Sequence, residues 1–559
     1  MSSRQLNTSA PVLKSASRAL IARARQLTTR PDDARLSALA IPLFQQAIEI
    51  DPQIPHLHAE LARIQQRQGL VVDARRSIRN ARKLAPQAIG LQLHQCMLEI
   101  PNFYDQTGEI ESSREIYREK LQSLLSIVRT ADRELLAAAA PTVGHATPFF
   151  LPFQNRNDRR LQAVYGEIVC RIMAAAHGQP GSTLSASTSQ TKRIRLGIVS
   201  AHVRRHSIWR VMLKGWLTSI DPDRFDIRVY APMSVGDDET EIARAACSRY
   251  VFGHRSTAEW CSIVRQDRPQ VLLYPEVGVD AQTLRLAALR LAPIQIASWG
   301  HSTTSGLPSI DYFLSGELIE PVDADEHYTE KLIRLPGFSF RYEPEHLPAD
   351  PLARDHFGLR SGATVFFCAQ ALWKYLPEYD DIYPRIAKKL EHRQDCQFVF
   401  MQHKKLARVT DRFQRRLKHV FEQHNVDFDA HVRFLPPLGH GAYQRLGQMA
   451  DVMLDSIGYG GWTTLLDSLS HDLPIVTCPG HFMRGRFAAA ALQRMGLSEL
   501  VAKDKGEFVE IAASVASDPE RRAWLSGQIA RKKRLVYADD SWIAGLDRLL
   551  GARAAAHPL

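Results

Sequence analysis

The chain has 559 residues, long enough for about three or four domains of typical size, and 45% of them are hydrophobic, a normal fraction for a globular protein. No apolar run approaches the length of a membrane span. The formal net charge is +11, but the Lys and Arg residues are scattered, with no aromatic-basic RNA-binding motif or zinc-finger spacing, so we expect an acidic or phosphorylated partner and no nucleic acid.

The basic N-terminus and the cysteines bear on cellular location. Residues 1–31 contain six Lys or Arg side chains and no acid, without the apolar core of a secretory signal. We predict a basic N-terminal extension leading into a helix, and an organellar transit peptide is the alternative. The seven cysteines are widely spaced and form no CxxC pair, which favours reduced thiols in a cytoplasmic protein over disulfides or a zinc site.

Helical repeats are predicted over residues 32–130. Pro52 and Pro86 are 34 residues apart, which is the tetratricopeptide period, and Gly69 separates the two helices of the unit that ends at Pro86. A degenerate third unit is predicted around Gly108 and Tyr117. Such helix pairs stack and usually bind a protein or peptide, whereas the alternative is a plain helical bundle.

A helical connector and a linker follow the repeats. Residues 131–177 have helical patterning, and residues 178–192, GQPGSTLSASTSQTK, are rich in Gly, Ser and Thr. This shift in composition is the clearest domain boundary in the chain, and we expect an exposed, mobile linker there.

Strands alternating with helices recur in two sets after the linker, as in parallel sheets with crossover helices. We predict two Rossmann-like lobes, an N-terminal lobe at 193–350 and a C-terminal lobe at 351–559, with ligands bound at the carboxyl ends of the strands. This is the shape of a two-lobed glycosyltransferase of the GT-B type, so the predicted fold class is α + α/β. The predicted strands are 194–200, 225–230, 271–274 and 294–298 in the first lobe, and 365–368, 398–401, 432–434, 452–454 and 475–477 in the second.

The segment 458–480, GYGGWTTLLDSLSHDLPIVTCPG, is the most informative motif. Its glycines allow a tight turn and close approach of a ligand, and Thr463 and Thr464 then open a helix. A helix N-terminus carries unpaired N–H groups and suits a phosphate, while Asp467, one turn further on, can face a ribose hydroxyl. The pattern fits a nucleotide-sugar pocket, and an ordinary α/β crossover with a glycine-rich turn is the alternative.

Three segments carry a resemblance to a known family. They are VSAHVRRHSIWRVM at 199–212, LAPIQIASWGHSTTSGLPSIDYFLS at 291–315 and ADVMLDSIGYGGWTTLLDSLSHDLPIVTCPG at 450–480. Together they resemble the O-GlcNAc transferase and SPINDLY family, in which tetratricopeptide repeats precede a two-lobed transferase. The resemblance implies that the first lobe faces the acceptor and that the second binds a nucleotide sugar.

The resemblance also implies roles for individual residues. His206 matches the active-site histidine after the first strand, and Lys374, in FCAQALWKYLP, matches the lysine that holds the donor diphosphate. The two are the candidate catalytic residues. The candidate donor-binding residues are Gln370, Tyr443, Gly460, Gly461, Trp462, Thr463, Thr464 and Asp467.

Four further positions bear on specificity. Trp462 stands where the animal enzymes of the family have a histidine, and Gln270 where they have a second one near the sugar. These departures leave the donor sugar and nucleotide open. His301 and Glu276 follow predicted strands and are possible cleft-lining residues.

The chemistry that fits these residues is glycosyl transfer without a metal. Lys374 supplies a charge and the helix start at Thr463 supplies fixed dipoles for the departing diphosphate, and no DxD pair stands at a strand end of the second lobe. We therefore expect no cofactor and no metal, a UDP-sugar as the donor substrate, and His206 orienting the acceptor or relaying a proton.

Three functions remain open at this point. The first is an inverting O-glycosyltransferase that transfers GlcNAc or a related hexose to Ser or Thr of a protein bound through the repeats. The second is a protein N-glucosyltransferase, or an enzyme dedicated to an adhesin or flagellin. The third is a repeat scaffold with a degenerate transferase domain, for which Trp462 and Gln270 are the arguments. We expect the repeats to select the acceptor without taking part in the chemistry.

Overall fold

The computed structural model describes residues 9–28, 34–178, 193–233, 235–344, 348–391 and 395–556. The predicted linker lies outside these residues, apart from Gly178. Among the described residues, no helix is both long enough and apolar enough to cross a membrane. All seven cysteines are free thiols.

Paired helices form the N-terminal part of the chain, as predicted. Helix α1 packs on α2 and α3 packs on α4, with small residues such as Ala40, Ala62 and Ala74 fully buried where the helices approach each other. The third pair joins a short α5 to a long α6, and Gly108 lies in the first turn of α6, not between the helices. The helices are α1 Ser9–Leu27, α2 Ala34–Ile50, α3 Pro55–Arg67, α4 Val71–Leu84, α5 Ile89–Met97 and α6 Thr107–Thr130.

The basic N-terminal segment is more than the predicted extension. Most of it forms α1, whose Ala24 is fully buried against α2 and whose Arg25 forms an ion pair with Glu60 of α3. The pattern of positive charge hid the apolar stripe of Leu20, Ile21 and Ala24 that packs on the neighbouring helices. Helix α1 is therefore the first helix of a repeat pair.

Two helices and an irregular segment make up the predicted connector. Helix α7 is Arg133–Ala139, α8 is Arg159–His177, and α8 packs on both α6 and α7. Asp132 caps α7 by accepting a hydrogen bond from the Leu135 N–H. The residues between α7 and α8 form loops and two short 3-10 turns that run toward the lobes.

The first lobe is a seven-stranded parallel sheet in the order β3-β2-β1-β4-β5-β6-β7. The four predicted strands are present, and three more were not predicted. Strand β3 is a half-exposed edge strand, and β6 and β7 follow the last strand predicted for this lobe. The strands are β1 Ile194–Val199, β2 Phe225–Ala231, β3 Arg249–Phe252, β4 Val271–Tyr274, β5 Ile294–Ser298, β6 Tyr312–Gly316 and β7 Lys331–Leu335, with helices α9 Lys214–Ser219, α10 Asp238–Ala245, α11 Thr257–Asp267 and α12 Ala281–Ala287.

The second lobe is a five-stranded parallel sheet in the order β10-β9-β8-β11-β12, and all five strands were predicted. The two lobes after the helical repeats confirm the predicted fold class. The strands are β8 Thr364–Cys368, β9 Cys396–Met401, β10 Val432–Leu435, β11 Val452–Leu454 and β12 Ile475–Val476. The helices are α13 Ile382–Leu390, α14 Ala407–Gln423, α15 Phe428–His431, α16 His440–Met449, α17 Trp462–Ser470, α18 Phe487–Arg494, α19 Lys505–Ser517, α20 Pro519–Lys532 and α21 Arg534–Tyr537.

The last helix, α22 (Ser541–Ala556), returns to the first lobe and contacts β7. Its Trp542 is fully buried 6.3 Å from the ring of Trp216, and Asp547 forms an ion pair with Arg224. The C-terminal residues therefore belong in part to the first lobe's packing, although the sequence placed all of 351–559 in the second.

Candidate active site

A cavity of about 200 Å³ lies between the carboxyl ends of the two sheets. From the first lobe its walls come from the residues after β1, including Ser207, and from those after β5, including Ser302. From the second lobe they come from the loop after β8 and from the segment Tyr459–Thr464. The strand order of each sheet reverses here, because β1 lies beside β4 in the first sheet and β8 lies beside β11 in the second. Open α/β sheets bind ligands at such switch points.

Lys374 is the cation of this cavity. Its Nζ donates hydrogen bonds to Gln370 Oε1 and to the Gly460 carbonyl, both at 2.9 Å, and lies 4.9 Å from the centre of the Tyr459 ring. Burial lowers the pKa of Lys374 to about 8, and the carboxylate of Asp455 works against this shift. An anion bound here would favour the charged ammonium.

The N-terminus of α17 opens into the same cavity. The helix follows Gly461, an N-cap residue that has no side chain with which to cap it. Thr464 Oγ1 donates to the Gly461 carbonyl at 3.0 Å and accepts a hydrogen bond from Gln370 Nε2 at 2.5 Å. The first-turn N–H groups of an uncapped helix and its partial positive charge form an anion site, here beside Lys374.

Position 461 requires glycine because three polar side-chain atoms approach its backbone closely. A Cβ atom there would lie 2.6 Å from Gln370 Oε1, 2.8 Å from Lys374 Nζ and 2.9 Å from Thr464 Oγ1. All three distances are shorter than a normal van der Waals contact. The structure thus brings Gln370, Lys374, Gly461 and Thr464 together as one polar group.

Asp467 and Tyr443 do not line the cavity. Asp467 Oδ1 lies 3.7 Å from Nη2 of Arg210, which belongs to the first lobe, and Arg210 Nη2 also donates to the Tyr342 hydroxyl at 2.9 Å. Arg210 stands in a π-helical turn, Trp209–Leu213. A ribose facing Asp467 would therefore share this carboxylate with an arginine from the opposite lobe.

His206 lies beside the cavity, and its neighbour Ser207 lines it. The His206 ring stacks on His202 with centroids 4.1 Å apart, and its Nδ1 accepts a hydrogen bond from the Ile208 N–H at 3.2 Å. Burial, with a smaller contribution from Arg204, lowers the pKa of His206 to about 4. The ring is thus neutral at pH 7 and carries its proton on Nε2, so it can donate a hydrogen bond through Nε2 but cannot accept a proton there.

Glu276 and His301 do not line this cavity, contrary to the prediction. Glu276 is fully buried, its Oε1 accepts hydrogen bonds from Ser200 Oγ at 2.7 Å and from the Ala201 N–H at 3.1 Å, and burial raises its pKa to about 8. His301 Nδ1 lies 3.0 Å from the Val277 carbonyl oxygen. Both side chains support the loops behind the cavity.

The two departures from the family pattern have different settings. Trp462 lines the cavity and packs in an aromatic cluster, stacked on Phe487 with centroids 4.6 Å apart. Gln270 instead precedes β4 at the amino end of the sheet, where its Oε1 accepts the Arg195 N–H at 3.0 Å. Gln270 is therefore far from the strand ends that form the cavity, and its assignment to the sugar site was wrong.

Sequence reasoning missed Tyr459, Ser302 and Arg210. Tyr459 could have been found as the aromatic residue inside the glycine-rich motif. The roles of Arg210 and Ser302 could not, because they depend on how the two lobes pair. No group of three or more His, Cys, Asp or Glu side chains within the described ranges is arranged to hold a metal ion.

Comparisons with known proteins bear on the family and the fold. The sequence model of glycosyl transferase family 41 matches residues 114–348 and 344–538. A solved structure of an O-GlcNAc transferase variant from Thermobaculum terrenum aligns over 100% of both chains with a TM-score of 0.71 and 22% identity, a likeness that shows the fold.

Several curated relatives are plant proteins. A probable UDP-N-acetylglucosamine–peptide N-acetylglucosaminyltransferase SPINDLY of Petunia hybrida is 25% identical over 342 residues, which is 59% of this chain and 35% of that protein. The SEC protein of Arabidopsis thaliana, with the same descriptive name, is 25% identical over 398 residues, 68% of this chain and 39% of its own length. The matches thus span little more than a third of these relatives.

Proposed function

Since the chain belongs to glycosyl transferase family 41, we propose that it is an inverting glycosyltransferase that transfers a hexose, GlcNAc or a related sugar, from a UDP-sugar to Ser or Thr of a protein. The acceptor hydroxyl oxygen forms a bond to the anomeric carbon from the face opposite the diphosphate, and the hydroxyl proton is released to water. The bond from that carbon to the diphosphate oxygen breaks, and its electron pair remains on the diphosphate.

One observation carries this proposal: Lys374 Nζ and the uncapped start of α17 meet across Gly461 in the cavity between the lobes. The leaving diphosphate gains negative charge as the bond breaks. A half-buried ammonium and fixed N–H dipoles stabilise that charge more strongly than water does, because they are already oriented. Gln370 holds both Lys374 and Thr464 in place.

The remaining groups have supporting roles in this proposal. His206 donates a hydrogen bond through Nε2 and orients the acceptor or the sugar, which follows from the engaged Nδ1. Asp467 contacts the ribose, and Tyr443 lies beside it in the nucleoside region. The diphosphate is held without a metal.

The protein acceptor is proposed to bind along the repeats. A cavity of about 380 Å³ lies between the repeats and α7. Leu93 and Leu135 give it apolar walls, and Glu60, Arg63 and His145 lie among its polar residues. Such a pocket suits an apolar side chain of an extended peptide.

Ala59→Arg would fill this pocket from α3, whereas Val72→Arg changes an exposed position on α4 and serves as the control. Protein glycosylation should fall only with Ala59→Arg.

A transfer assay tests the proposed reaction. The protein is incubated with UDP-GlcNAc, UDP-glucose or GDP-fucose and a heat-treated proteome, and modified peptides are identified by mass spectrometry. Ser or Thr products are removed by mild alkali, whereas Asn-linked products are retained, so the assay separates the two linkages. Lys374→Ala should abolish the modification and Lys388→Ala, at an exposed lysine of the same lobe, should not. Transfer from GDP-fucose alone, products that resist mild alkali, or no wild-type transfer from any donor would contradict the proposal.

A further inference from the structure

The residues between α7 and α8 reach the candidate active site. We call residues 143–158 the connector loop and residues 456–461 the donor loop. The connector loop first contacts the first lobe, where Thr147 Oγ1 donates to the Gly278 carbonyl at 3.0 Å and the Phe149 ring stacks on His301 with centroids 5.3 Å apart. It then continues to the donor loop in the second lobe.

Phe153 makes the closest aromatic contact to the donor loop. Its ring stacks on Tyr459 with centroids 4.3 Å apart and an interplanar angle of 18°. The same Tyr459 ring lies 4.9 Å from Lys374 Nζ. The position of the lysine ammonium therefore depends on a ring that the connector loop supports.

The backbone of the donor loop also lies against a side chain of the connector loop. Gly458 has φ +94°, and a Cβ atom there would lie 2.9 Å from Cγ of Asn155. Asn155 itself has φ 54°, a left-handed conformation that asparagine adopts more readily than most residues. This close fit couples the position of Gly458 to that of Asn155.

A buried ion pair completes the connection. Arg484 Nη2 lies 3.3 Å from Asp158 Oδ2 and donates to the Arg156 carbonyl at 2.7 Å, and both charged side chains are at most 4% exposed. The Arg484 carbonyl accepts the Gly460 N–H at 2.9 Å. On its other side, Asp158 pairs with Arg114 of α6 at 2.9 Å.

From these contacts we propose that the connector loop positions the donor loop, with Phe153 and Asp158 as positioning residues for the Lys374 grip on the donor diphosphate. This inference rests on the proposed function. It differs from the expectation that the repeats act apart from the chemistry, because α6 is linked to Gly460 through Asp158 and Arg484. Removing the repeats together with the connector loop should therefore weaken donor binding.

The test compares Phe153→Ala with Phe103→Ala. Phe103 also packs between the repeats and the second lobe, against Phe413 with centroids 6.1 Å apart, but it is not part of the donor-loop contact. We expect Phe153→Ala to raise the Kd for UDP and the KM for the UDP-sugar about tenfold, with little change in the KM for a short peptide acceptor. Phe153→Tyr, which keeps the ring, should restore wild-type values, and Phe103→Ala should match wild type in UDP affinity.

The outcomes separate this inference from the proposed function. If wild-type protein does not bind UDP, the proposed function fails. If wild type binds UDP, Lys374→Ala does not, and Phe153→Ala binds as wild type does, the positioning role is overturned. Should Phe153→Ala not fold, Phe153→Leu keeps the apolar burial without the stacked ring, and unchanged UDP affinity in this variant would equally overturn the proposal.

Discussion

Gly461→Ala is the sharpest perturbation of the proposed donor grip. The added methyl would lie 2.6 Å from Gln370 Oε1 and 2.8 Å from Lys374 Nζ, so these atoms must move by about 1 Å to reach an ordinary contact distance. Both are ends of side chains, so the fold can survive the change. A misplacement of about 1 Å in a catalytic group can cost about 100-fold in rate.

The stability cost should be small by comparison. Gly461 has φ −144° and ψ 124°, a conformation open to alanine, and it precedes α17 without a side-chain cap. Gly439 precedes α16 in the same way, and a Cβ atom there would have no atom of the described residues within 4 Å, so Gly439→Ala is a matched control. UDP affinity and sugar turnover should fall strongly in Gly461→Ala and remain unchanged in Gly439→Ala, with similar thermal midpoints. Equal UDP affinity and turnover in the two variants would refute the reasoning.

Three further predictions concern charge and metals. The pKa of Lys374 is about 8, and a diphosphate binds the charged ammonium, so the affinity for UDP measured by calorimetry should fall about tenfold from pH 7 to pH 9. Lys374→Arg, which stays charged, should flatten this pH profile. A wild-type affinity independent of pH would contradict the prediction. The rate of sugar transfer measured with excess chelator should equal the rate without it. Loss of transfer on adding chelator, with recovery on adding a divalent cation, would disprove metal-free binding of the diphosphate. The folded state retains a proton on Glu276 up to about pH 8, whereas the unfolded chain loses it above the ordinary pKa of 4.5. The free energy of unfolding, measured by urea titration, should therefore decline from pH 5 to pH 8, and more steeply in wild type than in Glu276→Gln. Equal slopes in the two proteins would show that Glu276 is ionised in the folded state.

The architecture could be read from the sequence because its signals are local. Buried strands such as β4 and β5 are short apolar runs bounded by turn residues, and their limits were predicted correctly. Edge strand β3 carries partly exposed residues and gave no such signal. Helix α1 was hidden by its positive charges, although its Ala24 packs in the core.

The site could be predicted only where one segment carried it. The group around Gly461 lies in two short motifs of the second lobe, so its members could be named. The pairing of Asp467 with Arg210 joins two lobes more than 250 residues apart in sequence. The contact of Phe153 with Tyr459 likewise depends on how the connector loop folds, and no spacing in the sequence encodes either contact.

Titration of UDP into wild-type protein, Lys374→Ala and Lys388→Ala tests the central claim most directly. We expect one UDP bound per wild-type chain. Binding should be lost in Lys374→Ala, where the half-buried ammonium is removed, and kept in Lys388→Ala, where an exposed lysine is removed. Unchanged UDP affinity in folded Lys374→Ala would contradict the claim that Lys374 and the start of α17 form the donor diphosphate site.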